Sequence, residues 1–413
     1  MQVNTIAELR IDTERLSRRI AELASIGAIE GDGVCRLALT DEDRLGRDQV
    51  CEWMRQLGMR VSIDGIGNVV AIRAGLEDVA PVMTGSHIDT VATGGRYDGT
   101  LGVLAGLEVI ASLNDAGITT RRPLAVGFFT NEEGARFAPD MMGSGVHQGA
   151  FDLDEMLATR GIDNSILGEE LERIGYAGAA EVGRFRVHCF LELHVEQGPV
   201  LEQEAISIGA VTGVQGISWT EYRIAGTSNH AGTTPMHLRH DAGYVAAAIA
   251  VEARRIADDM GGSQVATVGT IDLVPNLVNV IARQALVTVD LRNMDETLLQ
   301  AAERRLADFV SELAAAEGVQ VEQRKLARFE PVSFDDALVA LVEETAGSLG
   351  FSCRRMPSGA GHDAQMFAPN SPTAMIFVPS KNGISHNVAE FTSAQDIEAG
   401  ANVLLQVMLN KAN

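Results

Sequence analysis

The spacing of apolar side chains changes several times along the chain, and each change marks an element. Residues 5 to 26 carry apolar positions at helical spacing and Arg44 to Leu57 repeats the pattern, which predicts that the chain opens with helices. Alternating or continuous β-type runs follow at Met59 to Arg73, Val79 to Thr84, Pro123 to Thr130, Arg186 to Leu193 and Thr373 to Val378, with a helical segment at Gly102 to Leu113. Strands that alternate with helices imply a largely parallel sheet, in which ligands sit beyond the carboxyl ends of the strands. Between about Gly213 and Arg328 the pattern restarts. A β-rich run at Ile217 to Ala225 leads to a helix at Asp241 to Met260, strands at Ala266 to Leu273 and Ala285 to Leu291, and a helix at Glu296 to Glu317. The expected fold is therefore α/β: a mainly parallel-sheet domain with helices on both faces, built from residues 1–212 and 329–413, and a smaller inserted α+β domain, 213–328.

The 413 residues exceed what one hydrophobic core usually supports, and 46% apolar residues with 42 glycines fit a globular α/β enzyme rather than a disordered chain. No stretch approaches the roughly 18 to 20 apolar residues that a membrane span needs, and the start MQVNTIAELRIDTERL lacks a signal-peptide pattern, so a cytoplasmic location is expected. Cys35, Cys51, Cys189 and Cys353 are scattered and form no CxxC pair, so any metal must use His and carboxylates. A formal charge of −23 disfavours nucleic acid and membrane surfaces as partners.

Polar residues of metal-ligand type gather where the strands end. His87 follows the Val79 to Thr84 run, Glu132 and Glu133 follow Pro123 to Thr130, His194 ends Arg186 to Leu193, and His386 lies shortly after Thr373 to Val378. Asp98, in the Gly-rich segment GGRYDGT, is close enough in sequence to His87 to reach the same rim. Three His and two or three carboxylates without thiolates suit one or two divalent ions of the Zn, Mn, Co or Ni type. A two-metal site needs a shared carboxylate between ions roughly 3.5 to 4 Å apart, and Asp98 is the candidate bridge.

The segments GSHIDTVATGGRYDGTLGVLAGLEVI, NEEGARF, ELHVEQGPVLE, SNHAGTTPMHLRHDA, SGAGHDAQMFAP and PSKNGISHNVAEFT resemble those of the hydantoinase/carbamoylase family of metal-dependent amidases. Its members include N-carbamoyl-L-amino acid hydrolases, β-ureidopropionases and allantoate amidohydrolases, related to the aminoacylase and carboxypeptidase type of metallopeptidase. The resemblance implies two divalent ions per subunit, one held by His87, Asp98 and His194 and the other by Asp98, Glu133 and His386, with Glu132 as general base. It makes Asp89 the residue that orients His87. It places His230, contributed across a homodimer interface by the inserted lid and dimerisation domain, at the reacting carbonyl. Asn279 and Arg292 are implied as contacts to the carboxylate of a small anionic ureido substrate, a task that suits a planar guanidinium. Gln197, Gln215, Gly359 and Gly361 are implied as further substrate contacts. Asn131 departs from the pattern, because many relatives place an acidic residue before the Glu pair, and the change is expected to tune the basicity of Glu132.

The expected activity is metal-dependent cleavage of the terminal ureido group of an N-carbamoyl-L-amino acid to the amino acid, CO2 and ammonia. Allantoate, ureidoglycolate and N-carbamoyl-β-alanine are the alternative substrates, and a dipeptidase or N-acyl amino acid deacylase is the more distant reading.

Overall fold

The computed structural model describes residues 8–183 and 186–413, and divides into two compact units, one formed by Met1–Thr212 with Ser333–Asn413 and the other by Gly213–Val332. Along the first unit run α1 (Thr13–Ala24), α2 (Asp41–Gln56), β1 (Arg60–Ile63), β2 (Val69–Arg73), β3 (Val82–His87), α3 (Thr100–Asp115), β4 (Leu124–Phe129), α4 (Met142–Gln148), β5 (Cys189–Val195) and β6 (Ile208–Val214). The second unit contributes β7 (Gly216–Ala225), α5 (Ala242–Met260), β8 (Val265–Val274), β9 (Gln284–Asn293), α6 (Glu296–Glu317) and β10 (Gln320–Phe329). The chain then returns with β11 (Val332–Ser333), α7 (Asp336–Ser348), β12 (Cys353–Ser358), α8 (Asp363–Phe367), β13 (Thr373–Val378) and α9 (Ala394–Ala412).

The first unit is organised by a nine-stranded sheet of order β11-β6-β13-β5-β3-β4-β2-β1, with β12 paired to β6. Strands β13, β5, β3 and β4 are parallel and wholly buried, in keeping with their mainly apolar sequences. Even-numbered side chains of β5 face α8, where Phe190 stacks on Phe367 at 3.9 Å and Glu192 accepts the Ala364 amide. Leu193 points the other way, toward Gly400 of α9. Helix α3 is buried on every side, between β3 and the helices α1 and α9, which accounts for its nearly continuous apolar sequence.

Two expectations are corrected here. The run Met59 to Arg73 is not one β segment: Asp64 accepts the amides of Ile66 and Asn68, and Gly67 has φ 83°, so the chain folds back into the β1–β2 hairpin. A turn this short joins only antiparallel strands, so the parallel part of the sheet stops at β4, to which β2 runs antiparallel. The opening helix begins at Thr13 and is capped by Asp12; residues 8–12 are not helical, and the expected start at residue 5 lies outside the described residues.

The second unit is an antiparallel sheet of order β8-β9-β7-β10 packed by α5 and α6 over a core that includes Tyr222, Val245, Ile249, Val287, Leu299 and Leu306. Strand β10 is absent from the sequence reading because QVEQRKLARF carries no apolar alternation. It is an edge strand, where charged side chains discourage pairing with other chains. Among the described residues no helix is long and apolar enough to cross a membrane.

Candidate metal centre and active site

Parallel strands deliver the site. His87 is the last residue of β3, His194 the penultimate residue of β5, and Glu132 and Glu133 follow β4 by three and four residues. Asp98 stands in the segment leading into α3, and His386 in the loop between β13 and α9. With Gln197, Asp140, Ala360, Gly361 and His362 these six residues line one cavity of about 100 Å³.

Asp98 lies at the centre, with its two oxygens turned to different partners. Oδ1 is 3.1 Å from His194 Nε2 and 3.5 Å from His87 Nε2, whereas Oδ2 is 3.5 Å from His386 Nε2. His386 Nε2 is in turn 3.2 Å from Glu133 Oε2. Two sets of converging donor atoms therefore share one carboxylate: His87, Asp98 and His194, and Asp98, Glu133 and His386. Glu132 belongs to neither set; its Oε2 lies 3.3 Å from His87 Nε2, at the edge of the first.

Main-chain carbonyls orient the imidazoles. His87 Nδ1 donates to the Asp89 carbonyl at 2.9 Å and His194 Nδ1 to the Val195 carbonyl at 2.9 Å. A carbonyl only accepts, so Nδ1 carries a proton in each ring and Nε2 is the atom turned toward Asp98. Asp89 thus holds His87 through its backbone; its carboxylate, 3.9 Å from the ring, instead accepts the amides of Glu132 and Glu133 at 3.3 Å each. Gly99 has φ 61°, and a Cβ there would come within 2.4 Å of the His87 ring, so only glycine fits beside the ligand.

The electrostatics favour cations. Burial would raise the Asp98 carboxyl, but the hydrogen bonds and charge of His194 and His87 outweigh it and hold it well below the ordinary range. Burial, with Asp363, Glu133 and Asp89 nearby, pushes Glu132 well above its ordinary value. Burial, with the charges of Asp43 and Glu133, raises Asp89 to about 6, and the hydrogen bond that His386 donates to Glu133 raises His386 to about 9. No Lys or Arg lines the cavity, so its carboxylates draw protons to themselves and to the imidazoles. A donor set of three imidazoles and two carboxylates, with Glu132 beside it, fits divalent cations.

A second layer lies behind the ligands, and sequence reasoning missed it. Glu192 accepts Ser86 Oγ at 2.6 Å and the Ala364 amide at 2.8 Å, and His362, its ring 4.5 Å from that of His194, sits 2.9 Å from Ser358 Oγ. Glu192, His194 and His362 converge like ligands, but these hydrogen bonds already commit them, and burial and the charge of His194 keep His362 well below its ordinary pKa. Glu390, buried, accepts the amides of Tyr97 and Asp98 at 3.0 and 3.1 Å and is raised to about 7 by burial and the Asp98 charge. Only the SHNVAEFT segment in which it falls marked its neighbourhood.

The expected substrate contacts divide. Gln197 donates Nε2 to Asp98 Oδ2 at 2.8 Å, while its Oε1 is buried without a hydrogen-bond partner. Gly361 lines the cavity, whereas Gly359 is exposed and outside that lining. In the second unit, His230 and Asn279 lie together: His230 bridges Val280, and the Ala231 amide donates to the Asn279 carbonyl at 2.9 Å. His230 is exposed, and its Nδ1 accepts the amides of Gly232 and Thr233, which leaves the proton on Nε2. Gln215 and Arg292 are at the other end of the same sheet, because Arg292 pairs with Ile217 at the start of β7 whereas His230 follows its end. Arg292 is not a bare cation: it is ion-paired with Asp290 at 2.8 Å. Asn131, at φ 56°, donates to the carbonyls of Phe137 and Pro139 and shapes the turn. No contact with the Glu132 side chain appears among its hydrogen bonds.

The family model for peptidase family M20/M25/M40 matches residues 83–410. The chain is 40% identical to an N-carbamoyl-L-amino-acid amidohydrolase of Rhizobium meliloti, covering 98% of this chain and 97% of that one. It is 33% identical to an allantoate amidohydrolase of Bacillus subtilis, covering 94% and 95%. Among solved structures, a hydantoinase/carbamoylase family amidase from Burkholderia multivorans is similar with a TM-score of 0.95 and 47% identity, over 98% of both chains.

Proposed function

The chain belongs to peptidase family M20/M25/M40, and on that premise we propose that it hydrolyses the terminal ureido group of an N-carbamoyl-L-amino acid to the amino acid, CO2 and ammonia. The observation that carries the reading is Asp98, whose two oxygens face two separate ligand sets with Glu132 beside them. His87, Asp98 and His194 would hold one divalent ion, and Asp98, Glu133 and His386 the other, with Zn, Mn, Co and Ni all compatible with the donors. When bound, such ions supply Lewis acidity toward the ureido carbonyl and the attacking water.

The remaining chemistry falls to side chains. Glu132 takes a proton from the water and returns it to the departing nitrogen, the task of a carboxylate free of ligand duty. The tautomer of His230 presents Nε2–H as a donor for the tetrahedral oxyanion. Gln197 uses its amide nitrogen on Asp98 and offers Oε1 as acceptor for the ureido NH2, and the backbone at Gly361 flanks the same cavity. The cavity lining holds no Lys or Arg to pair with the substrate carboxylate, for which Arg292 and Asn279 are the candidates.

Those two cannot serve one substrate from the same copy. Nine residues of β7 separate the end that carries Gln215 and Arg292 from the end that carries His230 and Asn279, roughly 25 to 30 Å of strand. A substrate of amino-acid size spans a fraction of that. The separation supports a homodimer in which one copy supplies His230 and Asn279 to the metal centre of the other.

Ammonia release by purified protein loaded with Zn or Mn tests the reading, across N-carbamoyl-L- and D-amino acids, N-carbamoyl-β-alanine, allantoate and N-acetyl amino acids. Ammonia from the N-carbamoyl-L-amino acids alone is the expected result. Release from allantoate instead would favour the second reading, supported by the 33% identity to the Bacillus subtilis enzyme, and acetate as sole product would sink both.

A further inference from the structure

Behind Asp98 lies a buried carboxylate that no catalytic step uses. Both oxygens of Glu390 are engaged: Oε1 by the Tyr97 and Asp98 amides, and Oε2 by Ser385 Oγ at 3.2 Å. The same Ser385 hydroxyl lies 3.0 Å from Asp98 Oδ2, the oxygen turned to His386, and Ser385 immediately precedes His386. A single side chain therefore meets, through one hydroxyl, the loop that carries His386 and, directly, the backbone of the Asp98 segment 292 residues earlier in sequence.

The chain is shaped around this contact. A Cβ on Gly95 would fall 2.3 Å from Glu390 Oε1 and 2.5 Å from its Cβ, so even alanine at position 95 expels the carboxylate. Two amides facing one oxygen fix the direction of the Asp98 backbone, and the shared hydroxyl fixes the rotation of its carboxylate. Both are what a bridging ligand requires, because a few tenths of an ångström decide whether one carboxylate reaches two ions.

We propose that Glu390, with Ser385, is a positioning residue that holds Asp98 as the bridging ligand and ties the His386 loop to it. The proposal rests on the reading of the cavity as a two-metal centre. Its effect is on the ligands and not on the reacting atoms, so it belongs in metal affinity.

The test is a competition titration of Zn²⁺ against a chromophoric chelator on the full chain, with thermal melting of the metal-free proteins alongside. Glu390→Ala leaves two amides without their acceptor and is expected to weaken Zn²⁺ binding by about 10- to 100-fold, the usual cost of losing an outer-shell partner. Gly95→Ala is expected to reproduce that loss with Glu390 itself unchanged. Glu390→Gln keeps an oxygen for both amides and an NH2 for Ser385, and is expected to stay within about threefold of the parent protein, since the hydrogen-bond geometry survives. Equal losses in the Gln and Ala variants would overturn the proposal by assigning the effect to charge, and so would parent-like binding in Glu390→Ala. Should Glu390→Ala fail to fold, Ser385→Ala decides: it removes the hydroxyl that joins Asp98 Oδ2 to Glu390 Oε2 while the Tyr97 and Asp98 amides keep their acceptor, and unchanged binding would overturn the proposal. Absence of Zn²⁺ binding in the parent protein would instead remove the metal-centre reading itself.

Discussion

Glu132 and Glu133 are adjacent, buried side by side and held by the same Asp89 carboxylate, yet they are directed to different tasks. Glu133 meets His386 in a ligand set, while Glu132 touches only the rim of the other. Glu132→Gln keeps the volume and removes the proton acceptor, so turnover should fall by roughly 10²- to 10⁴-fold, the usual contribution of a general base. Metal content, measured by atomic emission on the same sample, should not change; joint loss of metal and turnover would reassign Glu132 as a ligand. At this scale the sequence was most informative for residues of ligand type at strand ends, because a parallel sheet sends those positions to one rim. It gave no role to Glu192 and Glu390 and placed His362 only within a Gly-rich substrate loop, because these residues act through buried hydrogen bonds to backbone and hydroxyl groups and leave no period or spacing. Asn131, which the sequence reading linked to the basicity of Glu132, also fills a left-handed turn position and donates to the Phe137 and Pro139 carbonyls.

Among the elements, α2 reaches the site through one buried side chain. Arg47 is fully buried, paired with Asp43 at 2.7 Å, and donates to the Gly67 carbonyl in the β1–β2 turn and to Thr130 Oγ1, just ahead of the Glu pair. It thus fastens a helix, a hairpin and the catalytic turn at once. Arg47→Ala strands the Asp43 carboxylate in the interior, and the expected loss is about 3 to 5 kcal/mol, as for one partner of a buried pair. Urea unfolding of the metal-free protein followed by tryptophan fluorescence should show a lower midpoint; an unchanged midpoint would mean that Asp43 finds water or a proton at little cost. Helix periodicity located α2, but nothing in the sequence distinguished Arg47 from the arginines that face solvent. The hairpin and β10 were missed for related reasons, since turn chemistry at Asp64 to Asn68 and a charged edge both interrupt the apolar pattern on which strand assignment depends.

For the whole molecule, the inserted unit was legible because its pattern restarts, but its use depends on something a single chain does not show. Within one copy the expected substrate contacts lie at opposite ends of β7, and the exposed His230 has an oriented Nε2–H. If a second copy brings His230 to the metal centre, activity can be rebuilt from two inactive chains. A Glu132→Gln chain supplies a sound His230, and a His230→Ala chain supplies a sound Glu132. Mixed under conditions that let subunits exchange, half the dimers become hybrids, and each hybrid has one competent site of two, so activity should return to about a quarter of the parent value, as expected for a two-fold symmetric pair. Differently tagged subunits that co-elute would establish that exchange had taken place. Hybrids that form and stay inactive would confine each active site to one chain, and Arg292 and His230 could then not both contact the substrate.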